Sequence, residues 1–156
     1  MLTIVEGNFC MDEPKLQVKL LTVSAKLPKQ ADQGSSGYDL CSDEDCVLKP
    51  GRRKLVSTGI AIQLPENFEG QVRSRSGLCN KYGIFVLNGI GTIDESYRGE
   101  IKVILQNLGT MQFKISKGDR IAQLVLAKVE HIPFEVVEEF GDTSRGQGGF
   151  GSSGVK

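Results

Sequence analysis

The chain has 156 residues, enough for one domain with its own core, and 39% of them are hydrophobic. Nineteen basic residues balance nineteen acidic ones, so no overall charge attracts nucleic acid or an anionic membrane, and any anion site must be local. No apolar run approaches the ~20 residues needed to cross a bilayer, and the N-terminus lacks the features of a secretory signal. The composition therefore predicts a cytoplasmic or nuclear protein that binds neither nucleic acid nor membranes.

The first half of the chain alternates polar and apolar residues in short runs, which is typical of β-strands. Residues 1–14 show no such periodicity, and we expect a loosely ordered leader there. In residues 15–23, leucine and valine alternate with polar side chains, which predicts a half-buried strand. Turns rich in proline, glycine and serine separate further strands expected at 38–41, 47–48 and 52–64.

The second half continues this pattern with one exception, a short helix predicted at 76–82 that Ser76 caps and Gly83 ends. Short strands recur about every ten residues with turns between them. The strands expected around and after the helix span 70–75, 84–87, 99–107, 111–115, 120–127 and 133–137. This arrangement predicts one all-β domain over residues 15–140, a distorted jelly-roll barrel or sandwich.

The central stretch, residues 88–100, carries the candidate chemistry. Asn88-Gly89 is a strong hairpin signal, because both residues tolerate a positive φ. Asp94 and Tyr97 follow, three residues apart, just beyond this turn. An amide, a bare glycine backbone, a carboxylate and an aromatic ring are together suited to hold a flat polar ring beside a reacting bond. An ordinary hairpin with a solvated aspartate is the alternative interpretation of the same residues.

Residues 141–156 differ in kind, because they are rich in glycine and serine and contain few side chains to bury. Such a segment cannot offset the entropy of its own ordering, and we expect a mobile C-terminal arm. Arg145 and Phe150 lie among the glycines. Glycine-rich backbone and arginine can bind phosphates, and a phenyl ring can cover a base. The composition therefore leaves two interpretations, a plain flexible tail or an arm that binds a nucleotide.

Five segments, in order, resemble the five motifs of the trimeric dUTPase family. They read GSSGYDL at 34–40, RSRSGL at 73–78, NGIGTIDESY at 88–97, GDRIAQL at 118–124 and RGQGGFGSSG at 145–154. One such motif is weak evidence, whereas five in order at plausible spacings are specific. The sequence thus resembles a trimeric dUTPase over most of its length.

The leader before residue 15 matches nothing in that family's pattern, and the sequence departs from the pattern at three further places. Ser74 stands where the family usually has proline, and we expect this to loosen the approach to Arg75. Ser153 replaces the usual threonine and keeps the hydroxyl group. The central turn reads Asn-Gly-Ile-Gly rather than the shorter Ala-Gly-Val form, so Asn88 supplies a side-chain amide that can contact uracil.

The resemblance implies hydrolysis of dUTP to dUMP and pyrophosphate with Mg²⁺ as cofactor, which keeps uracil out of DNA and supplies dUMP for thymidylate synthesis. It implies that Asp94 is the general base for the attacking water. Tyr97 would lie beneath the deoxyribose and exclude a 2′-hydroxyl group. The uracil edge would contact Asn88 and the backbone of the residues that follow: Gly91, Thr92 and Ile93.

The other motifs imply the metal and phosphate contacts. Asp39 would hold water molecules of a Mg²⁺ ion bound across the triphosphate. The phosphates would contact Arg75, Ser76, Gly77 and Gln123. The arm would contribute Arg145 as a γ-phosphate clamp, Phe150 as a cover over the uracil, and Gly151, Ser152 and Ser153 as further substrate contacts. Arg120 is expected to be an ion-pair partner rather than a phosphate ligand, and Lys102 an ordinary solvated side chain.

In the family, three subunits build each active site: one gives the uracil hairpin, a second the phosphate motifs and a third the C-terminal arm. The resemblance therefore implies a homotrimer with shared active sites. A dCTP deaminase, or a bifunctional deaminase–dUTPase, shares the fold and is the enzymatic alternative. A dUTPase-like trimer that only binds a regulatory protein is the non-enzymatic one. The Asp94–Tyr97 segment and the glycine-rich arm favour the plain dUTPase.

Overall fold

The computed structural model describes residues 14–149. The strands before the helix are β1 (Gln17–Leu20), β2 (Lys29–Gln30), β3 (Tyr38–Cys41), β4 (Cys46–Leu48), β5 (Arg53–Gln63) and β6 (Phe68–Arg73). The helix, α1 (Ser76–Tyr82), comes next. The strands after it are β7 (Ile84–Val86), β8 (Gly91–Ile93), β9 (Glu100–Asn107), β10 (Phe113–Ile115) and β11 (Arg120–Lys128). In this part of the chain, no helix is long and apolar enough to cross a bilayer.

The strands pair antiparallel into two main sheets and a small one. One main sheet has the order β1-β5-β9-β7 and the other β2-β3-β11-β6-β8, while β4 pairs with β10. Neighbours within a sheet are often distant in the chain, as β3 and β11 are. Antiparallel sheets around one core, with a single short helix in the described residues, confirm the predicted jelly-roll fold.

The hydrophobic core lies between the inner faces of the sheets, and β9 illustrates its origin. Ile101 and Val103 are buried, whereas Lys102 between them is exposed. Burying such an aliphatic side chain contributes about 1.5–3 kcal/mol, so the alternation decides which face of the strand points inward. The largest fully buried hydrophobic side chains are Leu40, Leu48, Ile60, Ile84, Leu105, Ile115, Ile121 and Leu124.

Helix α1 has the predicted extent but begins differently from the prediction. Arg75, extended at φ −92° and ψ 124°, is the N-cap residue, and no side chain caps the first turn. The predicted cap by Ser76 is wrong, because Ser76 is already the first helical residue. At the other end, Gly83 adopts the left-handed φ of 66° that glycine tolerates best, which confirms the predicted stop.

The strand predicted at 133–137 is absent. The N–H of Val129 donates to the carbonyl of Asn67 at 2.9 Å, and the chain then leaves the sheets. Phe134 and Val136 alternate as they would in a strand, but both are fully exposed. A strand needs a neighbouring edge for its backbone N–H and C=O groups, and the described part of this chain offers none there.

Most of the leader and the end of the arm lie outside the described residues, so the division at residues 14 and 140 stays a prediction.

Candidate active site

Six predicted site residues line one cavity, the β8 pocket, with a volume of about 470 Å³. They are Asn88, Gly91, Thr92, Ile93, Asp94 and Tyr97. Strand β8 supplies three of them and is held by its pairing with β6, where Gly91 lies opposite Val72. The central stretch therefore folds into one site rather than into scattered surface residues.

The turn before β8 differs from the predicted hairpin. The N–H of Gly89 donates to the carbonyl of Val86 at 3.1 Å, and Gly89 has a φ of 69°. Asn88 does not share this conformation, since Asn67 is the only described non-glycine residue with a positive φ. The runs predicted on either side of the turn, 84–87 and 101–105, do pair with each other, because β7 pairs with β9. The tight two-residue connection is wrong, since β8 lies between these strands in the chain and pairs with β6 in the other sheet.

The side-chain amide of Asn88 lies over the backbone of Gly91. A Cβ atom at position 91 would stand 3.0 Å from Asn88 Nδ2 and 3.3 Å from Val72 Cβ. A larger residue would thus push the amide or the neighbouring strand away. Ile93, at the other end of β8, packs into the hydrophobic core and anchors the strand. The pocket thereby has an amide side chain beside a strand anchored in the core.

Asp94 and Tyr97 belong to the turn that leaves β8. The N–H of Tyr97 donates to the Asp94 carbonyl at 3.0 Å, and the Tyr97 hydroxyl donates to the Glu100 carbonyl at 3.0 Å. The ring lies against Gly99, where any Cβ atom would collide with it. The Asp94 carboxylate is exposed, and none of the ion pairs of residues 14–149 involves it. It is therefore available to accept a proton from a bound water.

The sequence reasoning missed the remaining wall of this pocket. Val72 and Val86 provide an apolar surface, and Lys102 lines the cavity although it was expected to be ordinary surface. Lys102 Nζ lies 3.4 Å from Glu100 Oε2, and Glu100 Oε1 accepts the N–H of Gly59 at 3.0 Å. The available signal was the alternation in β9, which puts Glu100 and Lys102 on the same outward face.

The other predicted residues in the described part of the chain line a second cavity, the α1 pocket, of about 290 Å³, except for Arg145. They are Asp39, Arg75, Ser76, Gly77 and Gln123. Strands β3, β11 and β6 are adjacent, and Gln123 lies opposite Asp39 on one side and Arg73 on the other. Sheet register thus brings together side chains that three separate motifs contribute.

Asp39 binds two arginines at once. Its Oδ1 lies 3.0 Å from Arg75 Nε, and its Oδ2 lies 3.0 Å from Arg120 Nη1. This confirms the expected ion-pair role of Arg120. Arg75 Nη1 also donates to the carbonyl of Arg120 at 3.0 Å. Since a guanidinium has five N–H donors, three of those on Arg75 stay available for a ligand.

Ser74 connects the two pockets. The N–H of Val86, in the wall of the β8 pocket, donates to Ser74 Oγ at 2.8 Å. The carbonyl of Ser74 accepts a hydrogen bond from Gln123 Nε2, in the α1 pocket, at 2.9 Å. A proline at position 74 has no hydroxyl to accept the Val86 N–H. Serine therefore replaces the rigidity of a proline turn with a hydrogen bond between the two sheets.

Cys41, two residues beyond Asp39, is not a nucleophile candidate. Burial, the largest cause, raises the pKa of the Cys41 thiol, and the negative charge of Asp39 also raises it. The positive charges of Lys26, Arg120 and Arg75 lower it. The net effect raises the pKa, so the thiol stays protonated at neutral pH. Thiolate chemistry is therefore not expected beside the α1 pocket.

The β8 and α1 pockets share no lining residue. Arg145 lines neither of them, and its Nε donates to the carbonyl of Gly148 at 2.8 Å on the exposed arm. The predicted contacts Phe150, Gly151, Ser152 and Ser153 lie outside the described residues. Residues 14–149 contain no cluster of three histidine, cysteine or acidic side chains able to hold a metal ion. The described residues therefore present two separate polar pockets.

The chain is thus a small all-β protein with a jelly-roll fold and two polar pockets. Arg75 lines one pocket, and the exposed Asp94 carboxylate lines the other. The dUTPase family model matches residues 23–154, which include both pockets. The chain belongs to the dUTPase family.

Individual relatives match almost the whole chain. The deoxyuridine 5′-triphosphate nucleotidohydrolase of Clostridium kluyveri is 54% identical over 141 residues, which are 90% of this chain and 99% of the relative. That of Neorickettsia sennetsu is 53% identical over 133 residues, or 84% and 89% of the two chains. Among solved structures, the dUTPase of Staphylococcus bacteriophage 80alpha with dUPNHPP has a TM-score of 0.81 and 33% identity, covering 90% of this chain and 99% of that one. A mutant dUTPase from phage phi11 of S. aureus, described with a structural Mg(II) ion, has a TM-score of 0.76 and 27% identity, covering 82% and 99%.

Proposed function

We infer that this protein hydrolyses dUTP to dUMP and pyrophosphate, removing a precursor of uracil in DNA and supplying dUMP. The observation that carries this inference is the β8 pocket, where one segment presents an amide, bare backbone, an aromatic ring and an exposed carboxylate. Relatives named deoxyuridine 5′-triphosphate nucleotidohydrolase, similar over both pockets, support the same reaction.

On the base side, the uracil ring would lie along the backbone of β8 with its polar edge toward Asn88. Because Gly91 has no side chain, Asn88 Nδ2 lies 3.0 Å from the position that a Cβ atom there would take, so the amide can meet the ring directly beside the strand. A ring held this close leaves no room for the methyl group of thymine, and amide donors facing O4 disfavour the amino group of cytosine. Tyr97, held by its hydrogen bond to the Glu100 carbonyl, would pack beneath the deoxyribose. Ribonucleotides would then be rejected by steric contact with the 2′-hydroxyl.

Asp94 would act as the general base. A water in line with the leaving group attacks the α-phosphorus and gives its proton to the carboxylate. The new bond to the water oxygen forms as the bond from the α-phosphorus to the bridging oxygen breaks, and pyrophosphate leaves with that electron pair. A positioned base contributes about 10²–10⁴-fold to such a step. The exposed position of Asp94, outside the ion pairs of the described residues, supports this role.

On the phosphate side, Arg75, Ser76, Gly77 and Gln123 would bind the triphosphate. Asp39 fits the predicted Mg²⁺ through water, because a carboxylate has about four acceptor positions and the two arginines occupy two of them. The lack of a three-ligand cluster in residues 14–149 suits an ion held mainly by phosphates and waters. When bound, Mg²⁺ would neutralise charge that develops on the phosphate oxygens.

We propose that the active protein is a homotrimer in which the β8 pocket of one subunit faces the α1 pocket of another. The division of the residues supports this, because no arginine is among the residues that line the β8 pocket and no aromatic ring is among those that line the α1 pocket. Leu55 and Ile104, a cross-strand pair, leave apolar surface in the wall of the β8 pocket. Phe134 and Val136 are fully exposed and would be covered by a partner subunit. Arg145 and the glycine-rich residues after it would then close a third subunit's site.

The proposed function is tested by measuring pyrophosphate release from dUTP, dTTP, dCTP and UTP, with Mg²⁺ and again with a chelator. We expect release from dUTP alone among the four, and only with Mg²⁺. Ammonia release from dCTP would support the deaminase alternative instead. No pyrophosphate from any nucleotide would support the non-enzymatic trimer. Light scattering tests the trimer separately, and a fully active monomer would contradict the shared sites.

A further inference from the structure

Arg120 lies beside the α1 pocket without lining it. Its side chain is 53% exposed, yet its Nη1 is held 3.0 Å from Asp39 Oδ2. The Asp39 side chain is only 15% exposed, and its other oxygen holds Arg75 at 3.0 Å. The backbone carbonyl of Arg120 accepts a second N–H of Arg75 at 3.0 Å. Arg120 is therefore linked to Arg75 both through a carboxylate and through its own backbone.

A β-bulge puts Arg120 in this place. Gln123 lies opposite Asp39 and Ala122 opposite Leu40, but the register then shifts, so that Arg120 lies opposite Cys41. Ile121 and Ala122, which are consecutive, are both buried, whereas a regular strand would bury only one of them. The bulge thus turns Arg120 to the face that carries Asp39. Bulges often redirect a side chain in this way next to active sites.

Charge indicates what this arrangement does. Arg75 and Asp39 alone would form a neutral pair with little attraction for an anion. Arg120 adds a second positive charge, so two arginines and one aspartate leave a net charge of +1 beside the pocket. Arg120 also occupies the second carboxylate oxygen, which keeps the first one directed at Arg75.

We propose that Arg120 is a positioning residue for phosphate binding. It orients Asp39, which in turn orients Arg75, and it keeps the three-residue cluster positive, so that the remaining N–H groups of Arg75 bind the phosphates. Arg120 itself makes no phosphate contact. This inference deepens the proposed function and rests on it.

The test compares Arg120→Gln and Arg120→Lys, each alone and combined with Asp39→Asn. Arg73→Gln is the matched control, because Arg73 is a nearby exposed arginine whose side chain, among the described residues, hydrogen-bonds only to Gln71. Light scattering and thermal unfolding establish that each variant folds and assembles. The measurements are kcat and KM for dUTP and, independently of turnover, calorimetric binding of inorganic pyrophosphate at a fixed Mg²⁺ concentration.

We expect R120Q to raise KM about tenfold with kcat changed less than about threefold, because binding common to ground state and transition state is lost. Pyrophosphate affinity should fall by a similar factor. R120K should lose only about threefold, since it keeps the charge but not the planar fork. R73Q should behave as wild type. In the D39N background R120Q should lose clearly less than in the wild type, because its effect through Asp39 is gone and only the loss of its charge remains.

Unchanged pyrophosphate affinity in R120Q would overturn the proposal. So would an R120Q effect of undiminished size in the D39N background, which would make Arg120 a direct phosphate ligand. If R120Q does not fold, R120K decides the question, and an affinity equal to wild type overturns the proposal. If the wild-type protein releases no pyrophosphate from dUTP, the proposed function fails, whereas the pyrophosphate titrations still decide the role of Arg120.

Discussion

The two pockets of this protomer are built in different ways. The β8 pocket consists of strand backbone, the apolar side chains of Val72 and Val86, and an amide placed over Gly91. The α1 pocket is held by charge, since Asp39 joins two arginines at 3.0 Å each. One surface is anchored in the core, and the other depends on ion pairs at the edge of solvent.

This difference fits two tasks that differ physically. Discrimination between bases that differ by a methyl or an amino group needs atoms that do not move, which packed strands provide. Binding of a triphosphate needs charge, whose attraction depends less on direction and is screened by salt. On the proposed function, base selectivity and charge neutralisation would be separated between the two pockets, and the variants below test that separation.

The largest effect is expected for Asp94→Asn, which removes the proton acceptor and keeps the shape of the β8 pocket. Turnover should fall about 10²–10⁴-fold, because the amide cannot take the proton from water. Binding of the analogue dUPNHPP and the assembly state should be unchanged. Pyrophosphate release and calorimetry provide the measurements, with the exposed Glu66→Gln as the charge control. Undiminished turnover in the Asp94 variant would contradict the proposed role of Asp94 as general base.

Truncation after Ser144 tests whether Arg145, on the C-terminal arm, contributes positive charge to phosphate binding. Loss of the charge-assisted hydrogen bonds of Arg145, worth roughly 1.5–3 kcal/mol, should lower kcat/KM by about 10–100-fold. The proposed trimer should persist, because the described residues of the arm are mostly exposed and contribute nothing to the core. Kinetics and light scattering of the shortened chain provide the check. Full activity would show that the arm is only a tail.

Tyr97→Ala tests whether the base side selects by shape. Discrimination between dUTP and UTP should fall about 10–100-fold, as expected when steric exclusion of one hydroxyl is lost. Tyr97→Phe is the control, since it keeps the ring and loses only the hydrogen bond to the Glu100 carbonyl. The ratio of kcat/KM for the two nucleotides is the measurement. Equal loss of selectivity in both variants would favour a polar rather than a steric mechanism.

Ser74→Ala tests the link between the pockets. It leaves the N–H of Val86 without its acceptor at 2.8 Å but keeps the carbonyl that binds Gln123. We expect the free energy of unfolding to fall by about 1–2 kcal/mol, as measured by denaturant titration. KM should rise by only a few fold, because neither pocket loses a ligand-binding group. A large fall in kcat would mean that the pockets are not separate.

The smallest effect concerns a region that touches neither pocket. Hydrogen bonds from the hydroxyls of Thr22 and Ser24, at 2.7 Å each, lower the pKa of Asp43. Since the folded-state pKa is the lower one, this stabilisation is present above about pH 4 and is lost as the pH falls through the folded pKa. Asp43→Asn should therefore flatten the acid limb of the stability curve slightly. An unchanged acid slope in urea titrations would contradict this.

Local patterns predicted most of the fold and part of the set of residues that line the two pockets. Strand alternation gave the inward face of β9, and the glycine at position 83 gave the end of α1. All of the predicted residues that line the two pockets belong to the motif segments. They failed where a neighbour decides the outcome: Asn88-Gly89 became a crossover between sheets, and residues 133–137 remained unpaired. Lys102 was missed because its place in a cavity depends on the Asp94–Tyr97 turn above it.

The sequence by itself determined that this chain is an antiparallel β-protein of the dUTPase family, because periodicity and five ordered motifs are properties of the chain alone. Only the tertiary structure decided that the motif residues divide into two separate pockets and that a bulge turns Arg120 toward Asp39. The physical reason is register: a shift of one residue in pairing changes which side chains share a face, and no local pattern reports it.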